Sequence, residues 1–206
     1  MEIKIGTRAS QLAMIQAEMV GKKLQNAGMQ TRLVPIETKG DKILDVTISK
    51  IGSKGVFTEE LETLLRDKEI DIAVHSAKDL QSRLPEEFEI IAYSEREDAH
   101  DVLVSLEPKA LEQEEKLVIG TASHRREAIL KRNFPQHETK TIRGNLNSRL
   151  GKLKNGEYDA IILAAAGIKR LKIDDVVIQP LSKRLFIPMV GQGVIAVEAW
   201  KGMEDS

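Results

Sequence analysis

"DIAVHSAKDL", residues 71–80, is the stretch that decides the fold. With Ile70 before it, Ile70-Asp-Ile-Ala-Val74 reads as a short, largely apolar, β-branched strand bound for a core. The chain leaves that strand through His75 and Ser76 and at once sets a cation, Lys78, beside an anion, Asp79. Taken alone, the pair fits an ordinary turn. It also fits the carboxyl end of a strand in an open α/β sheet, the edge where such sheets hold their ligands. The flanking sequence decides between the two.

Strands and helices alternate on both sides. Glu2–Gly6 reads as a strand. Ser10 can cap a helix to about Asn26, with Leu12, Gln16, Met19, Val20 and Leu24 on one face and Gly28 as its stop. A strand is expected over Thr31–Glu37, a helix over Phe57–Arg66 and a strand over Phe88–Tyr93. This βαβ order implies a parallel sheet covered on both faces. At "SEREDAHD", residues 94–101, the apolar pattern breaks, as a solvated loop or as a crossing between domains. A fresh series follows: strand Lys116–Gly120, helix Ser123–Arg132, strand Thr139–Ile142, helix Asn145–Asn155, strand Tyr158–Ala164. After Pro188, Gly191 and Gly193, a last strand over Val194–Ala199 can return to the first domain. Two crossings imply two lobes with a cleft between them. The expected division is 1–95 plus 193–206 for domain 1 and 98–188 for domain 2, with hinges near 95–98 and 188–193. No internal repeat and no low-complexity segment is visible.

At 206 residues the chain suits one large or two small domains. It can bury roughly 70% of its unfolded surface without staples. It has no cysteine, so no disulfide, thiolate metal site or cysteine nucleophile is available. Lysine and arginine number 31 against 32 acidic residues, a net charge of −1. That balance argues against bulk attraction to nucleic acid or an anionic membrane, and leaves room for a local basic cleft. Aromatic residues make up only 3%, too few for base-stacking platforms. The start, Met1-Glu-Ile-Lys-Ile5, is too short and charged for a signal peptide, and no apolar run approaches the ~18 residues of a spanning helix. The expectation is a soluble cytoplasmic protein.

The arginines are informative by position. Arg8 follows the first strand. Arg125 and Arg126 open the helix after strand 116–120. Arg143 follows another strand, Arg149 lies about a turn into the next helix, and Arg170 ends "AAGIKR". Lys50 and Lys54 flank glycines in "SKIGSKG". Any one of these could be a surface ion pair or a cap. Their repeated placement after strands favours a shared anion site, helped by free N–H groups at helix starts near Ser10, Ser123 and Asn145. Arginine matches carboxylate or phosphate with two parallel hydrogen bonds, so the expected ligand is an organic polyanion. Asp79 would stay ionised among cations and could steady a positive charge developing on that ligand.

Other chemistries find no support. There is no G-x-x-x-x-G-K-[ST] and no G-x-S-x-G. His75, His100, His124 and His137 lack metal-ligand spacing, and His75 suits a hydrogen-bonded strand end. Asp41 and Asp45 read as loop caps.

Seven stretches, in order along nearly the whole chain, together resemble the porphobilinogen deaminase (hydroxymethylbilane synthase) family. They are "IGTRASQLAMIQAE", "TKGDKILDVTISKIGSKGVFTEELE", "DIAVHSAKDL", "EREDAHDVLVS", "IGTASHRREA", "IRGNLNSRLGKLKNGEYDAIILAAAGIKRL" and "IPMVGQGVIAVE". The resemblance implies a cytoplasmic transferase of haem biosynthesis that joins four porphobilinogen units head to tail into hydroxymethylbilane with loss of ammonia. It implies two lobes like those of class II periplasmic binding proteins, each a mixed, mostly parallel sheet flanked by helices. By matched position it makes Asp79 the catalytic carboxylate. It assigns Lys78, Ser123, Arg125, Arg126, Arg143 and Arg149 to the dipyrromethane cofactor and Arg8, Ser10, Gln16, Arg170 and Gln192 to substrate. Lys50, Lys54 and Phe57 fall on a mobile loop.

The family also has a third domain whose cysteine carries the dipyrromethane primer. Neither that domain nor any cysteine is expected in these 206 residues. The 206 residues could be a fragment of a longer protein, a separate polypeptide could supply the third domain, or the protein could be a natural short form. Alternatively the chain is a non-catalytic two-lobed carrier for linear pyrroles or other polycarboxylates. His124 stands where the family commonly has an apolar residue and Gln81 where it often has proline, departures that touch loop shape and not the charged positions.

Overall fold

A computed structural model describes residues 2–38 and 58–201. The chain divides into two units, residues 1–97 with 190–206 and residues 98–189. In chain order, unit 1 contains β1 (Glu2–Arg8), α1 (Gln11–Asn26), β2 (Gln30–Ile36), α2 (Glu59–Arg66), β3 (Ile72–Ser76), a 3₁₀ turn (Ala77–Asp79) and β4 (Phe88–Tyr93). Unit 2 contains β5 (Asp101–Ser105), β6 (Val118–Gly120), α3 (His124–Asn133), β7 (Glu138–Lys140), α4 (Leu146–Lys154), β8 (Ala160–Ala164), α5 (Ala165–Leu171) and β9 (Val177–Pro180). The last strand, β10 (Ile195–Trp200), belongs to unit 1.

The two sheets have orders β2-β1-β3-β10-β4 and β7-β6-β8-β5-β9. Counted from the first βα strand of each unit, these are the same order. In both, four strands point one way. The strand that runs against them, β10 or β5, pairs antiparallel on both sides. Each sheet is therefore mixed and mostly parallel, as the family resemblance implies. The reversed strand directly follows a crossing between units, so it enters its sheet without the helical crossover that makes neighbours parallel.

Alternating side chains build a core on each face. Ile72 and Val74 face a cluster with Ile5, Ala17 and Val197, while Ala73 faces Leu61, Leu65, Ile70 and Phe88. In unit 2, Val102, Val104 and Ile161 lie on one side, and Leu103, Ala160 and Ile162 on the other. Each fully buried Val, Leu or Ile contributes about 1.5–3 kcal/mol, so these two-sided cores hold the strand ends rigidly.

Several expectations need correction. Of the face expected for α1, Gln16 is buried and Val20 and Leu24 pack against the core, but Met19 is exposed and Ala13, Ala17 and Gly21 are buried instead. The small residues let the helix approach the sheet closely; a Cβ on Gly21 would lie 3.4 Å from the Thr31 hydroxyl. Residues 94–100 form no regular element, but the run is not solvated to its end. Asp101 opens β5 fully buried, because two guanidinium groups meet it. Strands β5 and β9 were not anticipated by the periodicity, although "DVLVS" has the short apolar signature of an interior strand. The expected loop residues Lys50, Lys54 and Phe57, with Asp41 and Asp45, lie outside the described residues.

Candidate functional site

In unit 1 the functional candidates sit where the parallel strands end. The Ala77 amide donates to the Val194 carbonyl at 3.0 Å, and the Leu80 amide donates to the Ala77 carbonyl at 3.4 Å, closing the 3₁₀ turn that carries Lys78 and Asp79. Gly191, at φ +76°, presses on this turn. A Cβ there would come within 2.8 Å of the Ala77 carbonyl carbon and 2.9 Å of the Lys78 nitrogen. Only glycine combines that close approach with that backbone angle. The "VGQGV" stretch thus braces the turn from outside the strand.

Asp79 is exposed, and among the described residues its carboxylate has no hydrogen-bond or ion-pair partner. Lys78 is half-buried. Gln16, buried on α1, exchanges hydrogen bonds with the Ser76 hydroxyl at 2.9 and 3.1 Å, which ties the helix to the last residue of β3. Arg8 ends β1, and Ser10 stands at the N-cap of α1 without a side-chain cap bond. Gln192 is buried, and its carbonyl accepts from Arg96 Nη1 at 3.0 Å. A cavity of about 710 Å³ opens beside the turn, lined by Ala77, Leu80, Ile90, Tyr93 and Val190 among others; neither Lys78 nor Asp79 lines it.

Beneath this edge lies a buried acid cluster that the sequence reading missed. His75 Nε2 lies 2.9 Å from Glu198 Oε2, both out of water, though the imidazole N–H is not aligned for a hydrogen bond. Glu62 of α2 is buried nearby. Burial pushes its carboxyl above the ordinary glutamate range, and repulsion from Glu198 adds to the rise. Alternation could have placed His75 and Glu198 inward on their strands, but nothing local signals that they face each other.

Unit 2 collects cations at the same edge of its own sheet. Ser123 caps α3, its hydroxyl accepting from the Arg126 amide at 3.5 Å. Arg125 donates through Nη2 to Asp101 Oδ2 at 2.7 Å and through Nη1 to the Ile187 carbonyl at 2.8 Å. Arg126 donates through Nη2 to Asp101 Oδ1 at 2.7 Å and through Nη1 to the Ile162 carbonyl at 2.8 Å. Arg126 is buried and Arg125 partly exposed. Asn145 caps α4 by accepting from the Ser148 amide at 2.9 Å, and Arg149 Nε donates to the Gly144 carbonyl at 2.9 Å. Gly144 takes φ +106°, turning the chain so that Arg143 precedes the cap. Arg143 is half-buried, and among the described residues its guanidinium has no partner. Arg170 lies near the end of α5, half-buried. His124 is exposed beside Glu127 at 3.6 Å. The amide of His100 holds the Asp98 carboxyl below the usual range, with the His100 ring 2.5 Å away.

Within unit 1, then, Arg8, Ser10, Gln16, Lys78 and Asp79 gather at one sheet edge. Within unit 2, Ser123, Arg125, Arg126, Arg143 and Arg149 do the same. Among the described residues, no group of three or more His, Cys, Asp or Glu side chains is arranged to hold a metal ion, and no helix is long and apolar enough to cross a membrane.

A family model described as porphobilinogen deaminase, dipyromethane cofactor binding domain, matches residues 3–206. The chain is 53% identical over 202 residues to a porphobilinogen deaminase of Desulfosudis oleivorans, covering 97% of this chain and 65% of that protein. It is 50% identical over 198 residues to one of Cytophaga hutchinsonii, covering 96% and 64%. The chain therefore spans a little under two thirds of the length of these curated relatives. Among solved structures it resembles a substrate-binding domain from Streptococcus pneumoniae, with TM-score 0.57, 13% identity, and coverage of 98% and 86%. The VFT2 domain of Bordetella pertussis BvgS gives 0.52, 16%, 98% and 82%. At such identities the likeness is one of fold, an α/β fold of two lobes.

Proposed function

The chain belongs to the porphobilinogen deaminase family, and from that premise we propose that it serves the stepwise head-to-tail condensation of four porphobilinogen units into hydroxymethylbilane, with release of ammonia. In each step the bond between the aminomethyl carbon and nitrogen breaks and ammonia leaves with the electron pair. The carbon left behind is cationic, its charge shared with the pyrrole nitrogen. The free α-carbon at the end of the growing chain forms the new bond and loses its ring proton, and one water supplies the hydroxyl of the released product.

Asp79 is the residue for the cationic stage. A carboxylate held on a rigid turn stabilises a developing positive charge without having to reorganise, and it can also accept the pyrrole N–H. Its exposed, unpartnered state among the described residues is the observation that carries this reading. Lys78, one residue away, holds a carboxylate of the same ligand. Arg8, Ser10, Gln16, Arg170 and Gln192 serve substrate in this reading.

The family model is the one for the dipyrromethane cofactor domain, and the residues present suit that group. It bears acetate and propionate side chains. Arg143 offers a guanidinium without a partner among the described residues, and Arg125 with Arg126 set two cations against one carboxylate. Ser123, Arg149 and Lys78 would complete its carboxylate contacts. When bound, the group supplies the primer on which the chain grows. A primer linked through a thioether needs a sulfur that these 206 residues do not contain, and the relatives continue for about a further third of their length. A second reading is a two-lobed carrier for linear pyrroles or other polycarboxylates without turnover.

The test is ammonia release and uroporphyrin colour from porphobilinogen, with and without preformed hydroxymethylbilane or the C-terminal third of a relative. Turnover under any of these conditions, lost by about a hundredfold or more in Asp79→Asn while binding persists, is expected. Tight binding with no turnover anywhere supports the carrier. Equal turnover in Asp79→Asn removes that residue from the chemistry.

A further inference from the structure

We propose that Asp101 is a positioning residue for carboxylate recognition in unit 2, an inference that rests on the reading of Arg125 and Arg126 as carboxylate-binding groups. Its carboxylate is fully buried and takes one Nη of each guanidinium at 2.7 Å. Peptide carbonyls of Ile187 and Ile162 take the other Nη of Arg125 and Arg126, each at 2.8 Å. Both planar groups are thus fixed at two points, and neither can swing about its long stem.

Charge and hydrogen bonding distinguish this cluster from a structural ion pair. A buried salt bridge made for stability balances its charges and satisfies its donors, because desolvation is otherwise uncompensated. Here two guanidiniums face one carboxylate, an excess of one positive charge. The Nε–H groups of both arginines are also buried, with no hydrogen-bond partner among the described residues. Part of Arg125 remains open to solvent. The surplus positive charge is what an incoming carboxylate would meet.

Asp101 itself repels such a ligand. Its contribution is direction: it removes the entropy that two free arginine side chains would lose on binding, and it keeps their donors aimed. Electrostatics alone and positioning therefore predict opposite signs for one substitution. Asp101→Asn raises the local charge by one. Attraction by charge alone would make a carboxylate ligand bind more tightly. Positioning makes it bind more weakly, by about tenfold, the loss of one charge-assisted hydrogen bond's worth of alignment.

The experiment is calorimetric titration of a free dipyrromethane bearing acetate and propionate side chains into the unmodified chain, Asp101→Asn and Asp101→Glu, at low and high salt. The expected result is weaker binding in both variants, although one adds a positive charge and the other keeps the net charge and moves the carboxylate by one methylene. Binding in Asp101→Asn that equals or exceeds that of the unmodified chain overturns the inference and leaves the functional reading standing. No uptake by the unmodified chain defeats the functional reading, and this inference with it. Should Asp101→Asn not fold, the unmodified chain still decides by NMR of the guanidinium Nη groups, identified by their loss in Arg125→Lys and Arg126→Lys. Slow rotation of both is expected, and fast averaging of both would overturn the clamp.

Discussion

In unit 1 the reversed strand, β10, buries Glu198 against His75 and near Glu62; in unit 2 the reversed strand, β5, buries Asp101 between Arg125 and Arg126. The strand orders are the same, and so is the placing of one fully buried carboxylate on the strand that follows a crossing. The balance of charge is reversed. Unit 1 sets two carboxylates against one imidazole, and unit 2 sets two guanidiniums against one carboxylate. One topology thus carries an acid-rich interior in unit 1 and a cation-rich strand edge in unit 2. Function resides in the side chains grafted at the strand ends and not in the shared order of strands.

The sharpest test of the difference uses glycine. Gly193 in unit 1 sits at φ +87°, and a Cβ there would lie 2.4 Å from the Glu97 carbonyl oxygen. The backbone angle costs an ordinary residue about 1–2 kcal/mol, and forced repacking about 1–3 more. Gly193→Ala should therefore destabilise the chain by about 3 kcal/mol in denaturant titration. A change below 1 kcal/mol would show that the bracing of unit 1 by "VGQGV" is not needed.

Next in size is Arg143→Ala. Removing a charge-assisted contact of about 1.5–3 kcal/mol should weaken polycarboxylate binding tenfold or more, with little effect on stability. The gap from the unmodified chain should narrow as salt rises, since screening weakens the interaction that was removed. Unchanged affinity at low salt would take Arg143 out of the site and erase the cationic half of the comparison.

Gly151 gives the opposite sign to Gly193. It lies inside α4, and a Cβ there would meet nothing within 4 Å. Gly151→Ala should stabilise unit 2 by about 0.5–1 kcal/mol through backbone entropy alone. A loss of stability would mean that both units depend on their glycines alike.

The alternation of strands and helices was legible because it is local: period-two apolar runs, caps and stops lie within a few residues of one another. The strand ends that carry Arg8, Lys78, Asp79 and Arg143 could be located for the same reason. What escaped depends on pairing between distant segments. Asp101 is the last letter of a charged run, and only Arg125 and Arg126, over twenty residues on, make it an interior residue. His75 and Glu198 lie on neighbouring strands separated by most of the sequence. On α1 the expected face held for Gln16, Val20 and Leu24 but not for Met19, because packing against the sheet also favours the small Ala13, Ala17 and Gly21.

The smallest expected effect probes the acid-rich side of the comparison through pH. Burial, and then the Glu198 charge, raise the Glu62 carboxyl above its ordinary value in the folded chain. The folded state therefore holds this proton more tightly than the unfolded state does. The resulting stability is fully present below the unfolded pKa and is lost as pH rises through the folded one. At neutral pH the ionised carboxylate is a net burden, which glutamine of the same shape does not carry. Glu62→Gln should thus raise the melting temperature slightly at neutral and alkaline pH. The gain should shrink to nothing in acid, where both side chains are uncharged. Hydrogen exchange assigns the effect, because protection should rise at the amides of β3 and β10 and stay level in β5 and β8. A gain that persists at low pH would trace to packing. A gain shared by both units would mean that the charge imbalance in the interior of unit 1 does not set its local stability.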